Sequence, residues 1–376
     1  MKSEKYSAIL GSAVGFKEME HLTTHRPLAN LPFDGKYRLI DFPLSTLANA
    51  GIKSIYGIFR SDNIRSVLDH VRSGREWGLN SLLSQYFLGF YNTKDDQKEA
   101  DKDYYDQVLT YLKRSGSNQT VYMSCDILCN IDLNEVIDAH QQSQAMLTVV
   151  YKNMPTKQVS DDNAILSFDE SGLVTASKPV AHEMKESFSA GLYIINTNWL
   201  IQKMEKEAEK AEPQKLRYLL RELAVTEATN SFEYNGYLAN IYSVKSYYDA
   251  NMDMLEADKF HSLLYSNQKI YTRVKNEEAT YFSKESHVES SQIASGCVVK
   301  GQVQHSIISR NCYLETETII KDSILSPKAV IGEKARIEYA IIDKSVTVSA
   351  GITIRGTKDQ PIVIPKGTKV VEDVVR

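Results

Sequence analysis

The chain has 376 residues, a length that suits two domains better than one. Hydrophobic residues make up 42% of the sequence and charged residues 24%, which is typical of a globular protein and excludes a disordered or fibrous one. The formal net charge of -4 gives no electrostatic reason to expect binding to nucleic acid or to an anionic membrane surface.

From Tyr6 to about Leu263, apolar runs rich in β-forming residues alternate with helical patterns. Strands are predicted at "YSAIL", "IKSIYGIFR", "TVYMSCDIL" and "AMLTVVYK", and a helix at "LNEVIDAHQQS". This alternation predicts an α/β domain with a mainly parallel sheet covered on both faces. Such sheets bind ligands at the carboxyl ends of strands, so a site is expected in the loops after Leu10 and near Cys125. The helical segments "NIRSVLDHVRSG" and "KLRYLLRELA" could face either the core or a partner.

After Tyr271 the pattern changes to a short repeat. Apolar residues recur every six positions, with one five-residue step, at Leu325, Ile331, Ile337, Ile342, Val348 and Ile354. The spacing predicts a left-handed parallel β-helix and disfavours the alternative of an ordinary antiparallel sheet. The boundary is placed near residue 270, after the predicted helix "SYYDANMDMLEADKFHSLL", which gives domains of residues 1–270 and 271–376. The end coil and strand edges of a solenoid need covering, so oligomerisation is expected.

The cysteines and the N-terminal segment indicate the compartment. Cys125 and Cys129, like Cys297 and Cys312, show neither a disulfide framework nor zinc spacing with histidines. The Cys125–Cys129 pair is therefore predicted to be two buried, small apolar residues. The apolar run in "MKSEKYSAILGS" is too short for a signal peptide, and no later stretch is long enough to span a bilayer. A cytoplasmic protein is expected.

The segment "PFDGKYRLIDFPLSTLANAGI" is long and specific, and it resembles the signature "PFGGKYRIIDFPLSN…NSGI" of the bacterial ADP-glucose pyrophosphorylase (glucose-1-phosphate adenylyltransferase) family. Further matches follow in order: "MSCDIL" to "GDH", "SKP" to "EKP", "FSAGLYIIN" to "SMGIYVF" and "YYDANMDML" to "YWKANLDL". The resemblance covers nearly the whole chain and implies a Rossmann-like nucleotidyltransferase domain followed by a hexapeptide β-helix. The family makes ADP-glucose and pyrophosphate from ATP and glucose 1-phosphate for glycogen synthesis, with Mg2+ held by two aspartates.

The nucleotide side of this resemblance is degenerate. The family loop "LAGGxGxRL" falls on a segment in which only Gly11 and Gly15 remain as glycines. Side chains there would block the approach of backbone N–H groups to a triphosphate. Arg26 survives from the family's "NRAKP", but the lysine of that motif falls on Leu28. The family's "GTAxA" nucleobase segment is not recognisable in "KEADKDYYDQ".

The loop arginine of the family also has no clear counterpart. The residues nearest to its position are Lys17 and Glu18, and Glu20 follows. Two carboxylates beside a triphosphate would repel it.

The resemblance also assigns the metal and the sugar phosphate. It places the first metal aspartate at Asp126 and the second at Asn240, which is neutral and a poorer Mg2+ ligand. It places the lysine that contacts the sugar phosphate at Lys178 and the backbone turn of "MGIY" at Gly191. The glutamate expected to hold sugar hydroxyls has become Ser177. Mg2+ is thus the cofactor of the family, and no cofactor is assigned to this chain.

Several groups that stabilise the transition state are therefore missing at once. One missing donor costs about 3–4 kcal/mol of transition-state stabilisation, so little catalysis is expected. The pattern resembles the GlgD-type subunit, the catalytically impaired paralogue that accompanies a GlgC-type catalytic subunit in some bacteria. The resemblance implies a regulatory role in a hetero-oligomer with that subunit, expected to be a tetramer. It also implies that glucose 1-phosphate could still bind.

Two other readings stay open from the sequence. The first is a weak nucleotidyltransferase in which Asp126 and Lys178 suffice. The second is a hexapeptide acyltransferase, which needs a basic histidine facing a cleft between subunits. His287 and His305 lie near or in the solenoid, but neither sits in a recognisable motif.

Overall fold

A computed structural model of the protein describes residues 5–12, 15–60, 64–81, 84–91, 97–170, 172–179 and 185–376. The α-helices are α1 (Glu20–Thr23), α2 (Asp41–Asn49), α3 (Ile64–Val71), α4 (Gln97–Ser115), α5 (Leu133–Ser143), α6 (Thr197–Ala208), α7 (Leu216–Thr226), α8 (Val244–Met252) and α9 (Ala257–Leu264). Short 3-10 helices cover Lys17–Met19, Leu28–Asn30, Arg75–Trp77, Thr156–Gln158 and Asp253–Leu255. Within the described residues, none of the helices combines the length and the apolar character needed to cross a bilayer.

The strands of the first region are β1 (Tyr6–Ser12), β2 (Pro32–Phe33), β3 (Tyr37–Arg38), β4 (Ser54–Arg60), β5 (Gln85–Tyr91), β6 (Gln119–Ser124), β7 (Ile127–Cys129), β8 (Leu147–Pro155), β9 (Ala164–Phe168), β10 (Val174–Pro179), β11 (Lys185–Asn196), β12 (Thr229–Glu233) and β13 (Leu238–Asn240). The central sheet runs in the order β10-β9-β11-β6-β1-β4-β5, and β8 joins β11 to β12. Strands β6, β1, β4 and β5 are parallel, whereas β11 runs antiparallel to β6 and β8. The predicted mainly parallel sheet is confirmed, and the antiparallel β11 is an addition that the sequence pattern did not predict.

Helices cover both faces of this sheet, as predicted. In β1, Ala8 and Leu10 pack into one hydrophobic cluster with side chains of α2, α3 and α5. Ile9, between them, points to the other face and packs into a cluster with side chains of α4, α6 and α7. Alternate residues of a strand point to opposite faces, so an unbroken apolar run is what a doubly covered strand requires. Helices α3 and α7, whose direction was left open, therefore face the core.

The second region is a three-sided solenoid of short parallel strands. Its strands are β14 (Tyr281–Phe282), β15 (His287–Glu289), β16 (Gln292–Ile293), β17 (Val298–Val299), β18 (Gln302–Gln304), β19 (Ile307–Ile308), β20 (Tyr313–Leu314), β21 (Ile319–Lys321), β22 (Ile324–Leu325), β23 (Val330–Ile331), β24 (Arg336–Glu338), β25 (Ala340–Ile342), β26 (Thr347–Val348), β27 (Thr353–Arg355), β28 (Ile362–Ile364), β29 (Lys369–Val370) and β30 (Val374–Val375). They form three parallel sheets, each built from every third strand. This confirms the predicted left-handed parallel β-helix.

The six-residue repeat becomes the buried centre of this solenoid. Leu325, Ile331 and Ile337 lie on three different sheets, and each pairs with the predicted residue one coil later, such as Leu325 with Ile342. All six predicted residues are at most 1% exposed. The chain turns at corners where residues such as Asn311 and Lys328 adopt left-handed backbone conformations, with φ of 58° and 66°.

The region between the two halves differs in detail from the prediction. The predicted helix "SYYDANMDMLEADKFHSLL" is split into α8 and α9, with a 3-10 turn at Asp253–Leu255 between them. The last helix ends at Leu264 and the first solenoid strand begins at Tyr281, so the boundary predicted near residue 270 falls in the connecting segment. The prediction that Cys125 and Cys129 are buried is confirmed.

Candidate functional site

A two-stranded sheet brings the two positions of the expected metal pair together. Strands β7 and β13 are antiparallel, and their register pairs Asn240 with Ile127, directly after Asp126. The backbone N–H of Ile241 donates to the Asp126 carbonyl at 2.7 Å and closes this arrangement. The Asn240 side chain donates through Nδ2 to Asp126 Oδ2 at 3.2 Å. The structure therefore places these two side chains in contact in a buried position.

Asp126 is paired with a cation that belongs to the chain itself. Arg217 Nη1 lies 2.8 Å from Asp126 Oδ1, and the two side chains are only 7% and 6% exposed. The Ser124 hydroxyl also donates to Asp126 Oδ1. Burial is the largest single influence on the pKa of Arg217 and lowers it, but the charges of Asp126, Tyr122 and Asp162 and the hydrogen bond to Asp126 together outweigh burial, so the pKa is raised. The guanidinium is therefore charged and neutralises the carboxylate.

The Asn240 amide is fixed in one orientation by its other contacts. Its Oδ1 accepts hydrogen bonds from the Ser160 backbone N–H and from Asn163 Nδ2, both at 3.0 Å. Its Nδ2 is thereby directed at Asp126. An aspartate at this position would place a second carboxylate oxygen against the first in a buried setting, where like charges repel strongly.

These residues do not fit Mg2+. The ion needs several oxygen ligands in near-octahedral geometry, usually including carboxylates. Here one carboxylate is held by an arginine, and its neighbour donates an N–H where a metal ligand would present an oxygen. No group of three or more His, Cys, Asp or Glu residues that could hold a metal occurs in the described part of the chain.

Arg217 is the functional residue that the sequence interpretation missed. It lies in the first turn of α7, beside the apolar side chains of Leu216 and Leu220 that pack on the sheet. Arg221, one turn later, donates to the Asp162 carbonyl and to Asn163. Two arginines four residues apart on a largely buried helix indicate that acidic or polar partners lie nearby, because an unpaired buried charge is costly. Their carboxylate partner could not be identified, because Asp126 lies 91 residues away in sequence.

The surviving glycines of the nucleotide loop have different surroundings. A Cβ on Gly11 would lie 2.1 Å from the hydroxyl oxygen of Tyr122, so packing alone requires a glycine there. Gly15 is exposed, and a Cβ added to it would lie 3.4 Å from Arg60 Nη1. Ala13 and Val14, which replace loop glycines, lie outside the described residues.

The charged residues that follow this loop are on the surface. Lys17 and Glu18 lie in a 3-10 helix and Glu20 begins α1, and all three side chains are exposed. The carboxylates of Glu18 and Glu20 therefore add negative charge beside the segment that would bind a triphosphate.

Arg26 is engaged in a contact between the two regions. Its Nη2 forms a buried ion pair with Asp343 of the solenoid, and its Nε donates to the Leu22 carbonyl at 3.1 Å. A nucleotide could reach this guanidinium only if the ion pair opened, so the predicted nucleotide-binding role stays a prediction that these contacts disfavour. Leu28, at the position of the family lysine, is buried in a hydrophobic cluster with Ile324 and Ile341.

The positions expected to bind the sugar phosphate lie on strands β10 and β11 of the central sheet. Gly191 has a φ of 59° at an irregularity of β11, and a Cβ there would lie 3.0 Å from the Cβ of Ser124. A side chain at Gly191 would therefore disturb the turn that carries Asp126. Ser177 and Lys178 lie in β10 and pair with Leu166 and Ile165 of β9. The Lys178 side chain lies outside the described residues, so its contact with a sugar phosphate stays a prediction.

The two histidines of the acyltransferase reading are in different settings. His287 is exposed on β15. His305 Nδ1 lies 2.6 Å from Asp322 Oδ1, and both residues line a cavity of about 750 Å³ between the solenoid and the α8 region. This cavity lies within one chain, whereas that reading requires a cleft between subunits.

Comparison with known proteins agrees with this architecture. Residues 17–257 match the family described as nucleotidyl transferase, and residues 274–373 match the GlmU-like, C-terminal hexapeptide domain. The chain is 30% identical over 358 residues to the glycogen biosynthesis protein GlgD of Bacillus subtilis (strain 168), covering 93% of this chain and 92% of that protein. It is 27% identical over 378 residues to a glucose-1-phosphate adenylyltransferase of Bacillus cereus (strain ATCC 10987 / NRS 248), covering 97% and 99%. It is also 27% identical over 349 residues to that of Clostridium perfringens (strain SM101 / Type A), covering 88% and 86%.

Proposed function

Since the chain belongs to the nucleotidyl transferase family and carries a GlmU-like hexapeptide domain, we propose that it is a GlgD-type subunit of glucose-1-phosphate adenylyltransferase. In this role it acts in the cytoplasm, in glycogen biosynthesis, and regulates a GlgC-type catalytic subunit within a hetero-oligomer, a tetramer. The chain contributes little or no ADP-glucose synthesis of its own.

The observation that carries this proposal is the ion pair between Asp126 and Arg217 beside Asn240. Adenylyl transfer depends on positioning two anionic substrates and neutralising the charge that develops on pyrophosphate. In this chain the carboxylate at the expected metal position is already neutralised by a buried arginine. The position two residues after Arg26, where the family has a lysine, holds the buried Leu28. Charge neutralisation therefore fails at two separate points.

A regulatory role needs only the parts that the chain retains. The signature "GKYRLIDFPLS" and the solenoid supply a packed scaffold with which a partner can assemble. Assembly can favour the competent conformation of a catalytic partner, and a shift of about 1–3 kcal/mol changes apparent affinity about 5–150-fold. None of the chemistry at Asp126 is required for this effect.

The test is ADP-glucose synthesis by this chain alone, by a GlgC-type subunit alone and by the two together. Alone, this chain should turn over well below about 1 s⁻¹, near the lower end of ordinary enzymes. The mixture should show altered apparent affinities for ATP or glucose 1-phosphate relative to the catalytic subunit alone. A turnover above about 1 s⁻¹ by the pure chain would instead support the alternative of a nucleotidyltransferase active in its own right.

A matched pair of variants shows which of the two subunits carries the activity of the mixture. Asp126→Asn keeps the shape of the side chain but leaves Arg217 without its carboxylate, so its folding and assembly with the partner are verified first; the folded variant should leave the mixed activity nearly unchanged. The same substitution at the metal aspartates of the catalytic partner should abolish it. Loss of about half of the mixed activity with Asp126→Asn would show that this chain is catalytic in the complex and that the regulatory proposal is wrong.

A further inference from the structure

We propose that the guanidinium of Arg217 is a built-in cation that closes the Asp126 carboxylate to divalent metal ions. The metal position at Asp126 therefore differs from a site that merely lacks one ligand. It already contains a positive charge, the guanidinium of Arg217. Exclusion of this kind is a property of this chain, so it can hold or fail independently of any regulatory effect on a partner.

The carboxylate oxygens of Asp126 are both occupied. Oδ1 accepts from Arg217 Nη1 at 2.8 Å and from the hydroxyl of Ser124, and Oδ2 accepts from Asn240 Nδ2 at 3.2 Å. Mg2+ binds oxygen ligands at about 2.0–2.1 Å and tolerates little distortion. A metal ion would have to displace these donors, and their desolvated polar groups would lose their partners.

Arg217 is held in place from both of its terminal nitrogens. Nη1 contacts Asp126, while Nη2 donates to Asn163 Oδ1 at 3.1 Å and lies 3.7 Å from Asp162 Oδ2. Asn163 in turn donates to Asn240 Oδ1 at 3.0 Å, which links the arginine to the second position of the pair. Movement of the guanidinium would therefore break several buried hydrogen bonds at once.

The charge of the site follows from this arrangement. A buried arginine and a buried aspartate in contact form a neutral pair. A dication entering beside the guanidinium would meet a positive charge in surroundings that screen it poorly. A second carboxylate at position 240 alone would not remove this obstacle, because Arg217 would still be paired with Asp126.

Mn2+ binding to the full-length chain tests the proposal, because Mn2+ favours the same oxygen ligands as Mg2+ and is visible by electron paramagnetic resonance. The wild type and Asp126→Asn should take up equally little Mn2+. Asn240→Asp, which restores the carboxylate pair but keeps Arg217, should also gain no site. Arg217→Leu/Asn240→Asp should bind about one Mn2+ per chain, at least about tenfold more tightly than Asn240→Asp. Adding Asp126→Asn to that double variant should abolish the gain.

Three results would overturn the proposal. One is a wild-type Mn2+ site that Asp126→Asn removes, and another is an Asn240→Asp variant that binds Mn2+ as tightly as the double variant. The third is a folded double variant, verified by circular dichroism, that gains no Mn2+ site. If this double variant does not fold, Arg217→Gln/Asn240→Asp takes its place in the same comparison, because glutamine removes the positive charge but keeps a polar side chain beside Asp126.

Discussion

Asp34 is a buried carboxyl group in the turn between β2 and β3, where it packs against the solenoid. Its backbone has a φ of 49°, and its N–H donates to Asn251 Oδ1 at 3.0 Å. Burial raises the pKa of Asp34 to about 7, although a hydrogen bond from Gln292 and the charge of Lys36 act in the opposite direction. The folded protein therefore binds this proton more tightly than the unfolded chain does.

The pKa of Asp34 predicts a pH dependence of stability. Because the pKa is raised in the folded state, its contribution is fully present below about pH 4 and is lost as the pH rises through about 7. Asp34→Asn cannot ionise and suits the left-handed backbone. We expect this variant to melt above the wild type at pH 8 but not at pH 4, by differential scanning calorimetry. Exposed Asp106→Asn is the control, and an equal shift at both pH values would contradict the assignment.

At the scale of elements, the solenoid contains a ladder of buried serines on one of its corners. The Ser323 N–H donates to Ser306 Oγ at 3.1 Å, and the Ala340 N–H one coil later donates to Ser323 Oγ at 3.2 Å. Both serine side chains are fully buried. Each hydroxyl thus satisfies an N–H group of the next coil that no water can reach.

We predict that Ser323→Ala destabilises this part of the solenoid by about 1–3 kcal/mol, because it leaves the Ala340 N–H without an acceptor. Hydrogen exchange of peptides spanning Ala340 should become faster, while peptides of the central sheet should not change. Ser349→Ala is the matched control, since the Ser349 hydroxyl makes no hydrogen bond to the described residues and is only half-buried. Unchanged exchange at Ala340 would refute the role of the ladder.

The repeating elements were predictable from sequence because their signals are local. The six-residue spacing of Leu325, Ile331 and Ile337 requires only that each aliphatic side chain stack on an aliphatic side chain of the next coil. The break between α8 and α9 was not predicted, because the apolar pattern continues through Asp253–Leu255. The antiparallel direction of β11 is likewise set by long-range pairing with β6 and β8, which a single sequence does not encode visibly.

The candidate site was predictable only in part, for a related reason. The resemblance placed Asp126 and Asn240 at the metal positions, and the structure brings them into contact. What neutralises Asp126 comes from a helix 91 residues later, and no spacing rule connects Arg217 to it. Gly11 was interpreted through phosphate binding, while its contact with Tyr122 is a packing requirement that only the three-dimensional arrangement reveals.

At the scale of the whole molecule, the signature segment fastens the α/β domain to the solenoid. Phe33, Leu39 and Phe42 pack in one hydrophobic cluster with Ile324 and Ile341. Polar contacts surround this cluster, among them Tyr248, whose hydroxyl donates to the Asp322 carbonyl at 2.6 Å. The signature segment, which resembles a motif of a catalytic family, therefore has a structural role that does not depend on catalysis. This explains how it can be kept in a chain whose metal position is closed.

The ion pair between Arg26 and Asp343 is the polar centre of this junction and supports the last prediction. Both side chains are at most 5% exposed, so removing one partner leaves a buried charge uncompensated. We expect Arg26→Met and Asp343→Asn each to destabilise the protein by about 3–5 kcal/mol in calorimetric or denaturant unfolding.

The double variant Arg26→Met/Asp343→Asn should cost clearly less than the sum of the two single variants, because it leaves neither charge alone. Arg336→Met, on the exposed face of β24, is the control for loss of an arginine. If Arg26 acted on a nucleotide instead, Arg26→Met would weaken ATP binding and Asp343→Asn would leave stability unchanged. Additive effects of the two substitutions would likewise contradict the ion pair, whereas strong coupling would show that Arg26 and Asp343 stabilise the junction as a pair.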